Sequence, residues 1–249
     1  MLFRSPDGRG GGPAAWALAI RPADLVAHAA HHRVGDLFWW IAHGIPGTPM
    51  PGFAPVMSDA AIWDVMQFLH ALSEADAASA LTTQVEPWRP LVAPDFTFEI
   101  GAGAQESLQQ QRGHPTLLVL YALPGSLPRM RMLAAEESRF VAAGVRVIAV
   151  RVADATGGSA AESGVLAGSI FALAGADVGV AYSMFACPAG AECARPVHSE
   201  FLIDRAGYLR ARWTGDAGAG DAWTNAILRE VAVLEREPPH PPAPEEHMH

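Results

Sequence analysis

The segment Gly47-Thr-Pro-Met-Pro-Gly52 holds Met50 between two prolines. Proline fixes its own φ and restrains the residue before it, so this thioether sits on a stiff loop. Such a loop suits a metal ligand kept at a fixed distance; a methionine filling irregular core space is the plainer alternative. A second donor set lies at Cys187, Cys193 and His198, spaced C-x5-C-x4-H. Two thiolates and an imidazole form a soft set suited to Cu(I) or Zn(II). The two cysteines could instead close one disulfide around the turn that begins Pro188-Ala-Gly190, leaving His198 as polar packing, which is the plainer reading. The terminal His247-Met248-His249 adds a loose accessory donor group.

Half of the 249 residues are apolar and 17% are charged, enough to bury a sizeable core in one large or two ordinary domains. A net charge of −9, with arginine for all 17 basic residues, argues against nucleic acid as a partner, which needs a basic face. No stretch reaches the roughly 18 uninterrupted apolar residues of a membrane span; the nearest, Val165 to Val180, carries Ser169 and Asp177 and fits a buried core better. The first residues, with Arg4 and Asp7 ahead of a glycine cluster, lack the pattern of a secretory leader.

These donors need elements to position them. Ser58 and Asp59 predict the cap of a helix over Ser58 to Ala75, with Ile62, Val65, Met66, Leu69 and Leu72 as its apolar stripe. Residues 84–93, rich in proline, read as a linker. Beyond it, Leu117–Tyr121 is an apolar run of buried-strand type, Leu127–Ala143 a helix and Val145–Val150 a second strand. Glu200–Asp204 and Tyr208–Trp213 read as a hairpin, Asp221–Glu235 as a closing helix, and 237–249 as a disordered proline-rich tail.

The order strand–helix–strand, hairpin, helix resembles the thioredoxin fold. Ala93-Pro-Asp-Phe96 is similar to the entry strand of peroxiredoxins and periplasmic thioredoxin-like reductases. Ser107-Leu-Gln-Gln-Gln-Arg-Gly113 resembles the segment before their central strand, and Phe201-Leu-Ile-Asp-Arg-Ala-Gly207 resembles their hairpin. The resemblance implies a C-x-x-C motif opening the helix after that strand. Here the segment reads Leu123-Pro-Gly-Ser-Leu-Pro-Arg-Met130, with Ser126 and Arg129 at the cysteine positions. Serine forms no disulfide, so dithiol exchange at that place is not expected. His198 lies three residues before Phe201, where the fold usually carries a proline facing the active site; a histidine there could face the Ser126–Arg129 edge. Sco-type copper chaperones carry two cysteines and a histidine on this fold, though their cysteines open the first helix.

The N-terminal part resembles a class I cytochrome c beyond its haem-attachment motif. Pro6-Asp-Gly-Arg-Gly-Gly-Gly-Pro13 is similar to the glycine-rich loop after C-x-x-C-H; Gly35–Ile41 and His43–Phe53 resemble the middle helix and methionine loop. The pairing of halves resembles copper resistance protein D fusions. It implies Met50 as the haem's axial ligand, opposite a histidine. In that register the second thioether cysteine falls at Phe3 and the histidine at Arg4, while the first cysteine would precede Met1. His28, His31, His32, His43 and His70 remain as substitutes for the missing histidine.

The expectations are therefore a mixed fold: a truncated all-α cytochrome c-like remnant over 1–83, a linker over 84–93, an α/β thioredoxin-like domain over 94–236, and a tail over 237–249. The chain reads as a non-enzymatic electron-transfer fragment linked to periplasmic copper handling. The alternative is a copper- or metal-binding thioredoxin-like module. Haem c belongs to the intact parent and is not expected here; copper is a possible ligand. The resemblance places the parent in the periplasm or on the membrane through an upstream segment, with a redox protein as partner.

Overall fold

The computed structural model describes residues 5, 8–100, 104–151, 171–173, 178, 182, 198–214 and 221–244. Their contacts fall into two compact units, one formed by residues up to Ala80 and one by residues from Leu81 onward.

The first unit is helical: α1 (Leu25–His31), α2 (Val34–His43) and α3 (Asp59–Ser79), with α1 and α2 both packed on α3. Asp24 caps α1 by accepting from the Ala27 N–H at 3.0 Å, and the Ser58 hydroxyl caps α3 by accepting from Ala61 at 3.3 Å. Leu37, Ala42, Ile62 and Met66 form one core cluster, with Phe38, Trp40, Ile41 and Met57 partly buried around them, and Val26 and Ala29 of α1 and Ala75 and Ala78 of α3 are also buried. The expected stripe on α3 is narrower than the sequence suggests: Ile62, Met66 and Leu69 are buried, whereas Val65 is 37% exposed. At roughly 100° per residue, Val65 and Leu72 fall about 60–80° from the Ile62 direction, on the stripe's edge.

The second unit is built on a seven-stranded mixed sheet in the order β2-β1-β5-β4-β3-β6-β7. Its strands are β1 (Thr97–Ile100), β2 (Ala104–Ser107), β3 (Thr116–Tyr121), β4 (Arg146–Arg151), β5 (Phe171–Leu173), β6 (His198–Ile203) and β7 (Leu209–Thr214). All six residues of β3 are buried, as expected of a central strand flanked on both sides. It pairs in parallel with β4 and antiparallel with β6, and β6 pairs antiparallel with β7. With α4 (Leu127–Ala142) between β3 and β4 and α5 (Asp221–Leu234) after β7, this is a thioredoxin-like arrangement. Leu117, Val119 and Tyr121 of β3 pack with Met130, Leu133 and Phe140 of α4 and Trp223, Ile227 and Val231 of α5. The entry strand starts later than Ala93–Phe96, at Thr97.

Two segments expected to be loose are docked. Residues 84–93 are no free linker: Leu91 and Ala93 are buried, the Leu209 N–H donates to the Leu91 carbonyl at 2.8 Å, and Ala93 donates to Gly207 at 3.0 Å. The outer edge of β7 offers backbone groups that need partners, and this segment supplies them. The first part of the tail is also held. Arg210, 3% exposed, bonds Glu237 at 2.7 Å and Asp204 at 3.2 Å, while Ala243 is buried and donates to Ala206 at 2.8 Å. A buried guanidinium requires carboxylates around it, and composition alone does not reveal that demand. Among the described residues no helix is long and apolar enough to cross a membrane.

Candidate functional site

β3 ends at Tyr121, and the turn after it delivers Ser126 to the N-cap of α4. Ser126 is 2% exposed, and its hydroxyl accepts from the Ala122 N–H at 3.1 Å instead of capping the helix. A thiol at a helix N-terminus would be shifted towards thiolate; this hydroxyl has no such chemistry. One turn later Arg129 points inward. Its Nε and Nη2 donate to the two carboxylate oxygens of Glu200 at 2.7 and 3.2 Å. Its guanidinium carbon lies 3.8 Å from the centroid of the Trp223 ring, and the Trp223 indole N–H donates to Glu200 at 2.7 Å. The position that holds a redox cysteine in the resembling family is thus the cationic half of a buried ion pair.

Glu200 is fully buried in the middle of β6. The face is set by register: Val119 stands opposite Glu200 and Tyr121 opposite His198, so these side chains share the face covered by α4 and α5. Burial pushes the Glu200 carboxyl up, but hydrogen bonds from His198 and Arg129, with their charges, outweigh it and hold the group below the ordinary carboxylate range. His198 reaches the same carboxylate through Nε2 at 2.8 Å, which places a proton on that nitrogen. Its Nδ1 is buried and has no hydrogen-bond partner among the described residues. His198 therefore joins Arg129 through Glu200. Cys187 and Cys193, expected beside His198, lie outside the described residues, as does His247-Met248-His249.

The other candidate, Met50, sits on a loop closed at its base. Gly44 adopts φ +79°, and a Cβ there would lie 2.7 Å from the Met50 carbonyl; one at Gly52 would lie 2.6 Å from that of Ala42. The two arms cross too closely for side chains. Ile45 donates to the Met50 carbonyl at 3.3 Å, and Met50 donates to the Thr48 hydroxyl at 3.2 Å. Met50 is half-exposed and stands outside the core of Leu37, Ala42, Ile62 and Met66. The residues present do not fit haem c. Residues 1–80 contain no cysteine for a thioether, and Met50 is the one donor the register identifies. Among the described residues no group of three or more His, Cys, Asp or Glu side chains could hold a metal ion.

Glu200 and Trp223 escape the sequence reading. The available signal was a carboxylate immediately before the apolar run Phe201-Leu-Ile203 of one strand, a place where a buried carboxylate demands a counter-charge.

No family model and no curated protein matches this chain. Solved structures do. A putative thiol:disulfide interchange protein DsbE from Chlorobium tepidum is 21% identical, over 56% of this chain and 95% of its own, with a TM-score of 0.43. A thiol:disulfide interchange protein from Bacteroides sp. is 18% identical over 57% and 88%, with a TM-score of 0.42. Peroxidoxin BcpB from Mycobacterium tuberculosis is 14% identical over 61% and 97%, with a TM-score of 0.44. These neighbours are thioredoxin-like proteins, and they lend no support to the cytochrome c or copper-resistance resemblance. They also correct one expectation. Thiol:disulfide interchange proteins and a peroxidoxin stand among these neighbours, and the expectation of a non-enzymatic chain is withdrawn.

Proposed function

We propose that this chain is part of a redox-associated electron-transfer protein, periplasmic or membrane-attached in its intact form, in which Met50 descends from an axial haem ligand. The observation that carries this reading is the Met50 loop: a proline-flanked thioether, clamped at its base and kept out of the core. A merely structural methionine has no need of that exposure. The test restores what the register lacks. A chain carrying Phe3→Cys and Arg4→His, with one cysteine added directly before Met1 so that C-x-x-C-H is complete, is expressed with a haem-maturation system. Covalent haem whose visible spectrum changes in Met50→Ala is expected. Absence of haem from the restored chain overturns the reading.

A second reading is favoured by His198. Histidines that ligate metals commonly donate their other ring N–H to a carboxylate, which orients the ring and raises its basicity. His198 makes that bond to Glu200 through Nε2 and leaves Nδ1 without a partner among the described residues. We infer a copper- or zinc-binding thioredoxin-like module with His198, Cys187 and Cys193 as donors. Cu(I) titration of Cys187→Ser and His198→Ala tests it: weakened binding in both is expected, and unchanged affinity in both removes the idea.

A further inference from the structure

The helical unit carries a histidine pair that neither reading uses. His28 lies in the last turn of α1 and His32 is its C-cap, one helical turn apart. The His28 Nδ1 and His32 Nε2 atoms are 3.0 Å apart, with the ring planes within 6° of parallel and the centroids at 5.2 Å. A centroid separation this much larger than the nitrogen separation means that the rings meet end-on, nitrogen to nitrogen. One nitrogen carries the hydrogen and the other accepts it, so the contact requires at least one neutral ring. His32 is steadied by an edge contact with the Trp40 ring, at 4.9 Å between centroids. His28 is exposed and His32 half-buried, which leaves the pair open to solvent on one side.

We propose that His28 and His32 form a bidentate site for a late divalent transition-metal ion, Cu(II) in preference to Ni(II) or Zn(II). At metal–nitrogen distances of about 2.0–2.1 Å, two adjacent imidazole ligands stand roughly 2.8–3.4 Å apart, which spans the separation already present. The helix supplies that spacing, and the ring of His28, free on the surface, turns so that both lone pairs meet at one point. No proton need leave a neutral pair. The bridging hydrogen moves to the far nitrogen of its own ring, giving Nε2–H on His28 and Nδ1–H on His32. Imidazole suits copper, nickel and zinc, and affinity at a given site peaks at Cu(II) along the first-row series. Water completes the coordination. The ion would staple the C-terminal end of a seven-residue helix, which is too short to be stable by itself.

The test is Cu(II) titration of the full chain by calorimetry and electron paramagnetic resonance, beside His28→Ala, His32→Ala and the tail control His247→Ala/His249→Ala. Each of the first two is expected to weaken one bound equivalent by about tenfold or more, and to remove the two-nitrogen hyperfine pattern from that equivalent. His28→Asn and His32→Gln, which keep a polar side chain, guard against a folding effect and should weaken the same equivalent. The proposal is overturned if stoichiometry and affinity survive both alanine variants, or if the two-nitrogen signal disappears in the tail control alone. Neither outcome bears on Met50 or His198, which lie outside the proposed site.

Discussion

The two units handle apolar and charged groups in opposite ways. In the helical unit Trp16, Ile20, Leu25, Val34, Trp39, Val56, Trp63, Val65 and Phe68 are all exposed, around a core of Leu37, Ala42, Ile62 and Met66 with Val26, Ala29, Leu69, Ala75 and Ala78 also buried. Among the described residues of the thioredoxin-like unit the exposed large apolar ones are Val141 and Val233, while Arg129, Glu200, His198 and Arg210 are buried. One unit leaves outside what water disfavours; the other takes inside what water favours. The sheet can do so because its register and two covering helices place every partner of Glu200 within 2.7–3.2 Å. Three helices of 7, 10 and 21 residues offer no comparable enclosure. Electrostatics is therefore a structural matter in the second unit, and missing apolar cover is the matter in the first.

The sharpest way to break this contrast is to separate the units. A polypeptide of residues 1–83 is expected to show no cooperative thermal transition, because each large apolar side chain left exposed forgoes about 1.5–3 kcal/mol of a stability that totals only about 5–15. Residues 84–249 should melt cooperatively, and a sharp calorimetric peak from 1–83 would erase the distinction.

Within the second unit, Glu200→Ala leaves Arg129, the Trp223 N–H and His198 without their shared acceptor. A loss of about 3–5 kcal/mol in urea unfolding is expected. Arg129→Met with Glu200→Leu should restore most of it, since removing both charges leaves nothing unpaired. Equal losses in the single and double variants would show that packing, not charge, is at stake. The pH response follows from the same residue. The folded pKa of Glu200 is depressed, so its contribution is complete above the ordinary carboxylate value of 4.5 and fades as pH falls below it. The gap in stability between the parent chain and Glu200→Gln should accordingly shrink on acidification below that value.

Smaller effects belong to the peripheral ties. Glu237→Ala removes one of the carboxylates holding Arg210 and should cost about 1–3 kcal/mol while releasing the tail to proteolysis. Ser58→Ala removes the cap of α3 and should cost about 1 kcal/mol, read as lost helicity at 222 nm. If the cap variant proves as damaging as the Glu200 variant, the helical unit is better knit than its exposed surface implies.

The legible parts were those where local chemistry and fold agree. Ser58 announces a helix start, and α3 begins at Asp59; the run Leu117–Tyr121 announces a buried strand, and β3 covers Thr116–Tyr121. The absence of thiols at Ser126 and Arg129 was equally plain, because it depends on residue type alone. What replaced the thiols was not. Arg129 and Glu200 are 71 residues apart, and no pattern of spacing announces their pairing. The segment 84–93 and the tail misled for a related reason: proline excludes regular helix and strand, yet says nothing about whether an edge or a buried guanidinium will hold the chain.

The amino-acid sequence by itself determined the main helical and strand segments, the excess of acidic over basic groups, and the lack of thiols at Ser126 and Arg129, since each follows from residue type and short-range period. The tertiary structure alone decided that Glu200 gathers Arg129, His198 and Trp223, that Met50 stands outside its core, and that His28 meets His32 nitrogen to nitrogen. Those outcomes rest on register, burial and side-chain direction, which exist only once distant parts of the chain have packed.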